Sequence, residues 1–238
     1  NMAASSVLLL LVTLLPPQGH SAHQDSGIVN GEKIKTNSKP YMVSVQERNK
    51  ETEKREHMCG GFLVSDNFVM TAVHCVNLMV VVGAHDISRQ ESSARKIDVK
   101  YYHIHPGYNS KTFQNDIMLL QVHDSGRMHT CQNGATKTGG TANPHLLEVN
   151  VTVVDRASCQ RSWGNTATIT LSMICAGDTA AGYKGVCQGD SDGPLVCKGT
   201  AVRVVSFNEK GNCDNLKEPN VYTKVAKYLS WIKCITKY

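Results

Sequence analysis

The sequence predicts an all-β protein that ends in one amphipathic helix. Three observations carry this. Apolar and polar residues alternate in short runs, as in residues 41–46 (YMVSVQ), 62–65 (FLVS) and 68–71 (FVMT). Gly, Asn and Pro punctuate those runs, as turns between strands require. Helical spacing replaces alternation at the C-terminal end, where Val225, Tyr228, Leu229, Ile232 and Ile235 recur on one face. Short strands joined by turns bury their apolar face as a barrel or a sandwich.

The chain opens differently. Residues 7–15 read VLLLLVTLL, too few apolar residues for a membrane span but enough for the core of an export signal. Pro16-Pro17 stops any helix there, and Gly19, Ser21 and Ala22 form a small-residue cleavage zone. We therefore expect a signal peptide at 1–21 and a short pro-segment at 22–27. Further strands are expected at 77–82, 116–122, 147–154, 194–197, 201–207 and 220–225. The charged tract 46–57 (QERNKETEKREH) reads as a solvated hairpin loop, and the terminal helix as 225–236.

Composition narrows the function. With 238 residues, 41% hydrophobic and 19% charged, the chain is neither disordered nor a coiled coil. Only 6% is aromatic, which leaves few platforms for stacking nucleotides, and no nucleic-acid-reading element appears; no nucleic-acid partner is expected. Nine cysteines behind an export signal point to an oxidising compartment, so the protein is expected to be secreted or stored in a secretory granule. No later stretch is long and apolar enough for a membrane span. His103 and His105 share a strand face, but no carboxylate or cysteine stands beside them at ligand spacing. Residues 83–100 lack the acidic cluster of a calcium loop. No metal and no cofactor are expected.

The chemistry centres on Ser191, in the turn-rich segment CQGDSDGPLVC. A serine hydroxyl is a weak nucleophile until a base takes its proton and a third group holds that base. His74, in TAVHC, and Asp116, in NDIMLL, stand at the edges of expected strands, where a rigid scaffold can aim them.

These segments resemble the chymotrypsin-fold (trypsin-like) serine proteases, most of all the granzyme and mast-cell chymase branch. IVNG at 28–31, KPYMVSVQ at 39–46, CGGFLVS at 59–65, TAVHC at 71–75, GAHDI at 83–87, HPGYN at 105–109, GDSDGPLVC at 189–197 and PNVYTKV at 219–225 follow the family's order over 28–238. The resemblance implies two six-stranded antiparallel β-barrels, about 28–125 and about 131–224, then the helix. It assigns Ser191 as nucleophile, His74 as general base and then acid, and Asp116 as the group that orients His74. The N–H groups of Gly189 and Ser191 would form the oxyanion hole. Cleavage after Gly27 would free the amine of Ile28 to pair with Asp190, and the six-residue pro-segment AHQDSG would leave as dipeptides.

The resemblance also implies disulfides Cys59–Cys75, Cys131–Cys197, Cys159–Cys175 and Cys187–Cys213. It leaves Cys234 as a free thiol on the helix, idle or buried, with an intermolecular disulfide as the open alternative to a monomer. It lines a specificity pocket with Gly185, Val186, Ser206, Phe207, Asn208 and Asn220. With no carboxylate at its floor, a substrate Lys or Arg would bury an unpaired charge, so non-basic side chains are expected. Phe, Tyr, Leu or Met is the first expectation, and Asn, Gln or acidic residues stay open. Protein or peptide substrates, protease inhibitors and sulfated proteoglycan are the partners implied. Removing residues 1–27 takes away one acid, Asp25, and no Lys or Arg, which raises the net charge from +5 to +6. Asn150-Val-Thr152 is an N-glycosylation acceptor inside an expected strand.

Three positions depart from the family pattern. Asp192 follows the nucleophile where relatives carry Gly, Val73 replaces an Ala beside His74, and QNGATKTGG after Cys131 lacks the family's Trp. They keep a second reading open, a catalytically impaired homologue that uses the fold to bind.

Overall fold

The computed structural model describes residues 28–35, 38–48, 55–75, 78–88, 91, 93–123, 143, 145–177, 184–187, 190–209, 212–213 and 217–237. The expected signal and pro-segments, Cys131 with the run after it, and Gly189 lie outside them.

Six strands close a barrel in the order β2-β3-β4-β7-β6-β5. They are β2 (Met42–Arg48), β3 (Arg55–Ser65), β4 (Phe68–Thr71), β5 (Leu78–Val82), β6 (Arg95–Ile104) and β7 (Met118–Val122), all antiparallel to their neighbours. Alternation decides what fills it. Val43, Val45, Val69, Val80 and Leu120 are fully buried and pack in one cluster. Closure removes every free sheet edge from this half, which suits it to hold a site rigidly.

The second half is a five-stranded antiparallel sheet, ordered β11-β12-β13-β10-β9. Its strands are β9 (Val153–Val154), β10 (Met173–Ala176), β11 (Pro194–Cys197), β12 (Thr200–Phe207) and β13 (Asn220–Lys224). Where the resemblance implies a second six-stranded barrel, the described residues form this five-stranded sheet. A separate pair, β1 (Glu32–Lys33) with β8 (Leu147–Glu148), and a bridge from Val29 to Gly185 tie the start of the described chain to the second half.

Four expectations are corrected. The tract 46–57 is strand at both ends, with register kept out to Arg48 opposite Arg55, because charged side chains do not prevent backbone pairing on an exposed hairpin. The expected strand 147–154 splits into β8 and β9, and Asn150 sits exposed between them. The terminal segment begins as a 3-10 turn (Val225–Lys227) and becomes helix α2 only at Leu229–Thr236. Its Cys234 is exposed, not buried.

Helix α1 (Arg156–Trp163) was not anticipated. It buries only Cys159 and Trp163, too narrow a stripe to show as periodicity. Its ends are nevertheless marked. Asp155 caps it by accepting from Ser158 N–H, and Gly164 ends it at a positive φ of 51°. Among the described residues no helix is long and apolar enough to cross a membrane.

Candidate active site

The barrel supplies two of the three singled-out residues. His74 follows β4 in the loop that the Cys59–Cys75 disulfide ties to β3. Asp116 precedes β7 and is fully buried. Its Oδ2 lies 2.9 Å from His74 Nδ1, while its Oδ1 accepts from the backbone N–H groups of Val73 (2.7 Å) and His74 (3.3 Å). The carboxylate therefore fixes both the ring and the loop that carries it.

The second half supplies the rest. The hydroxyl of Ser206 donates to Asp116 Oδ2 at 2.7 Å. Ser206 falls where the β12–β13 register shifts between Val205 and Phe207, and such a bulge re-aims a side chain out of the ladder. The resemblance assigned Ser206 to the specificity pocket, and its hydroxyl holds the buried acid. Ser191 lies in the turn before β11, and its carbonyl accepts from Gly60 N–H of β3 at 2.7 Å, which docks that turn against the barrel. Among the described residues no hydrogen bond joins Ser191 to His74.

Asp192 occupies that neighbourhood instead. It is fully buried with φ at 73°, a backbone shape that glycine adopts freely and aspartate rarely. Its Oδ1 lies 3.7 Å from His74 Nε2. Its Oδ2 is 3.1 Å from the Thr71 hydroxyl, which also reaches Gly60 O at 2.9 Å, and it touches the Cys75 sulfur. The imidazole thus stands between two carboxylates. Burial works against a charged ring, but Asp192 and the Asp116 hydrogen bond outweigh it and raise His74 to about 9. Burial pushes Asp192 up in turn, against the pull of the charged ring. Nearby, burial and the charges of Asp116 and Asp192 push the Tyr108 hydroxyl up to about 12.

Cys59, His74, Cys75 and Asp192 bring metal-ligand atom types within 4.8 Å of one another. The two sulfurs are bonded to each other, so they are not thiolates, and one imidazole with one carboxylate is all that remains for an ion.

Of the residues assigned to the pocket, Asn208 and Asn220 converge on Val186. Asn220 is fully buried and its Oδ1 accepts from Val186 N–H at 3.2 Å, while Asn208 Nδ2 donates to Val186 O at 3.2 Å. Both amides are engaged with the backbone of the wall beside Gly185. Phe207 packs against Trp163 and Phe113, with centroids 5.2 and 5.5 Å away, and the Phe113 ring stands edge-on 6.0 Å from His74. Phe113 is a neighbour that no sequence motif marked.

Asp190 is buried, with one carboxylate oxygen accepting from Cys187 N–H at 2.9 Å. Burial pushes it up to about 8. Asp190 and Ile28 line one cavity of about 260 Å³, together with Val186, Leu195 and Tyr222. Two further disulfides, Cys159–Cys175 and Cys187–Cys213, brace α1 against β10 and the segment before Ser191. Cys197 is exposed at the end of β11.

Comparison with known proteins agrees with this arrangement. The family model described as Trypsin matches residues 28–232. Granzyme H of Homo sapiens is 38% identical, over 95% of this chain and 96% of its own length. Granzyme-like protein 1 of Rattus norvegicus is 35% identical over the same shares. A solved structure described as "Structure of GrC" superposes with a TM-score of 0.75 at 30% identity, covering 89% of this chain and 100% of its own. The chain therefore belongs to the trypsin family of serine endopeptidases and is related within it to the granzymes and mast-cell proteases.

Proposed function

We propose that the protein is a granzyme- or chymase-like serine endopeptidase, made as a zymogen and secreted or stored in granules, that cleaves after non-basic residues. The carrying observation is the His74–Asp116 pair, 2.9 Å apart, with the Ser191 turn docked on strand β3 of the same barrel. In this reading His74 Nε2 takes the proton of Ser191 Oγ as that oxygen attacks the substrate carbonyl. The negative oxygen is held by the N–H groups of Gly189 and Ser191. His74 then hands the proton to the leaving amine. Water repeats the sequence on the acyl-enzyme and restores Ser191.

Activation follows from the Ile28–Asp190 cavity. A buried carboxylate is stabilised most by a cation, and cleavage before Ile28 creates one on a residue already lining that space. The non-basic preference rests on the residues assigned to the pocket, where the amides of Asn208 and Asn220 engage Val186 and none of the assigned residues is acidic.

The second reading, a homologue that binds without cleaving, is favoured by one observation: the Asp192 carboxylate faces the nitrogen that must accept the serine proton. A fluorophosphonate probe decides between them. Labelling of the processed chain that disappears in Ser191→Ala supports the endopeptidase. A folded, processed chain that stays unlabelled at every pH supports the binding protein.

A further inference from the structure

We propose that Asp192 is a positioning residue that acts as a brake on the general base, holding His74 as an imidazolium and switching the site off at neutral pH. The inference rests on the endopeptidase reading above but is carried by separate geometry.

Asp192 Oδ1 is buried and accepts no hydrogen bond, and it lies 3.7 Å from His74 Nε2. Without a positive partner a carboxylate in that position takes up a proton, and burial does push Asp192 up to about 7. Among the described residues, His74 is the cationic partner it has. The donors to this carboxyl are the Thr71 hydroxyl, which Gly60 O also engages, and the Ala72 backbone N–H, and neither carries a charge. The other ionisable groups around the ring reinforce the effect. Asp116 sets a second carboxylate on Nδ1, and Tyr108, pushed up to about 12, stays neutral. The Cys59–Cys75 disulfide, Thr71, Phe113 and Ser206 complete the surroundings and carry no charge.

The functional consequence follows from proton bookkeeping. A general base must be unprotonated when Ser191 attacks. An imidazole between two carboxylates keeps its proton through neutral pH, so the base is absent from most molecules. Raising the pH releases it. Removing the Asp192 charge releases it too, and Asn is the substitution that does so with least disturbance, since it keeps the size and tolerates a positive φ.

The test is the ring-proton NMR titration of His74 in the full chain, with the resonance assigned by its loss in His74→Ala. We expect a midpoint near 9 in the parent. In Asp192→Asn we expect it at least about one pH unit lower, and a fluorophosphonate labelling rate at pH 7 about tenfold higher in the processed chain, since one unit is tenfold in unprotonated base. A parent midpoint in the ordinary histidine range overturns the brake, whether or not the variant folds. An unchanged midpoint in folded Asp192→Asn overturns it as well. If the midpoint moves while Ser191 stays unlabelled in both chains at every pH, the brake on the ring stands and the endopeptidase reading falls.

Discussion

Asp116 is held by four donors, and one of them, Ser206, comes from the other half of the molecule. A hydrogen bond to a buried charge is worth about 1.5–3 kcal/mol, so Ser206→Ala should lower the unfolding free energy by about that much in urea. It should also loosen His74, read as a fall in kcat with KM little changed. On the opposite edge of the ring, Asp192 shapes the pH profile. The rising limb of activity belongs to His74, near 9. In the proposed activation the falling limb belongs to the Ile28 amine, ordinarily at about 8, as it loses the charge that pairs with Asp190. The parent should therefore show a narrow alkaline optimum, and Asp192→Asn a broad one reaching neutral pH, both measured as kcat/KM against pH. His74, Asp116 and Ser191 could be singled out from sequence because each stands in a motif at a strand edge. Ser206 and Phe113 could not be assigned their neighbours. Their placement depends on a register shift in β12 and on the fold of residues 109–115, which no local pattern encodes.

Strands were the most legible elements, since period-two alternation survives wherever one face meets a core. The barrel strands β2, β4, β5 and β7 lie within two residues of their expected ranges. Leu120, fully buried in the barrel cluster, tests that core: Leu120→Ala should cost about 2–5 kcal/mol in denaturant unfolding. Helix α1 was illegible by periodicity, yet its Asp155 cap was present in the sequence. The hydrogen bond from Ser158 holds the Asp155 carboxyl below its usual range. A lowered folded value means the contribution is complete above the unfolded value of about 3.9 and is lost as pH falls through the folded one. Asp155→Ala should thus unfold at lower urea than the parent at neutral pH, with the gap closing in acid. Charge does not separate loop from strand at the β2–β3 hairpin, where the strand ends carry charge without losing their ladder.

The whole molecule divides the candidate site between two halves: the barrel holds His74 and Asp116, and the second half brings Asp192 and Ser206 to them and docks the Ser191 turn on β3. The Cys187–Cys213 bridge closes a 26-residue separation beside this junction. By the chain-entropy model such a loop is worth about 3.5 kcal/mol, so Cys187→Ser with Cys213→Ser should lower the urea stability by about that amount. The wide family resemblance made this bipartite plan readable from sequence, and the described residues of the second half form a five-stranded antiparallel sheet. Helix α2 adds a further tie. Trp231, Ile232 and Ile235 pack against the cluster that contains Phe62, Ile117 and Leu119 of the barrel side, and Tyr228 donates to Asn115 beside Asp116. A helix made late in the chain thus covers the flank beside Asp116. On the ribosome, that apolar flank stays uncovered until α2 has left the exit tunnel. The nascent barrel must be shielded from other chains until then.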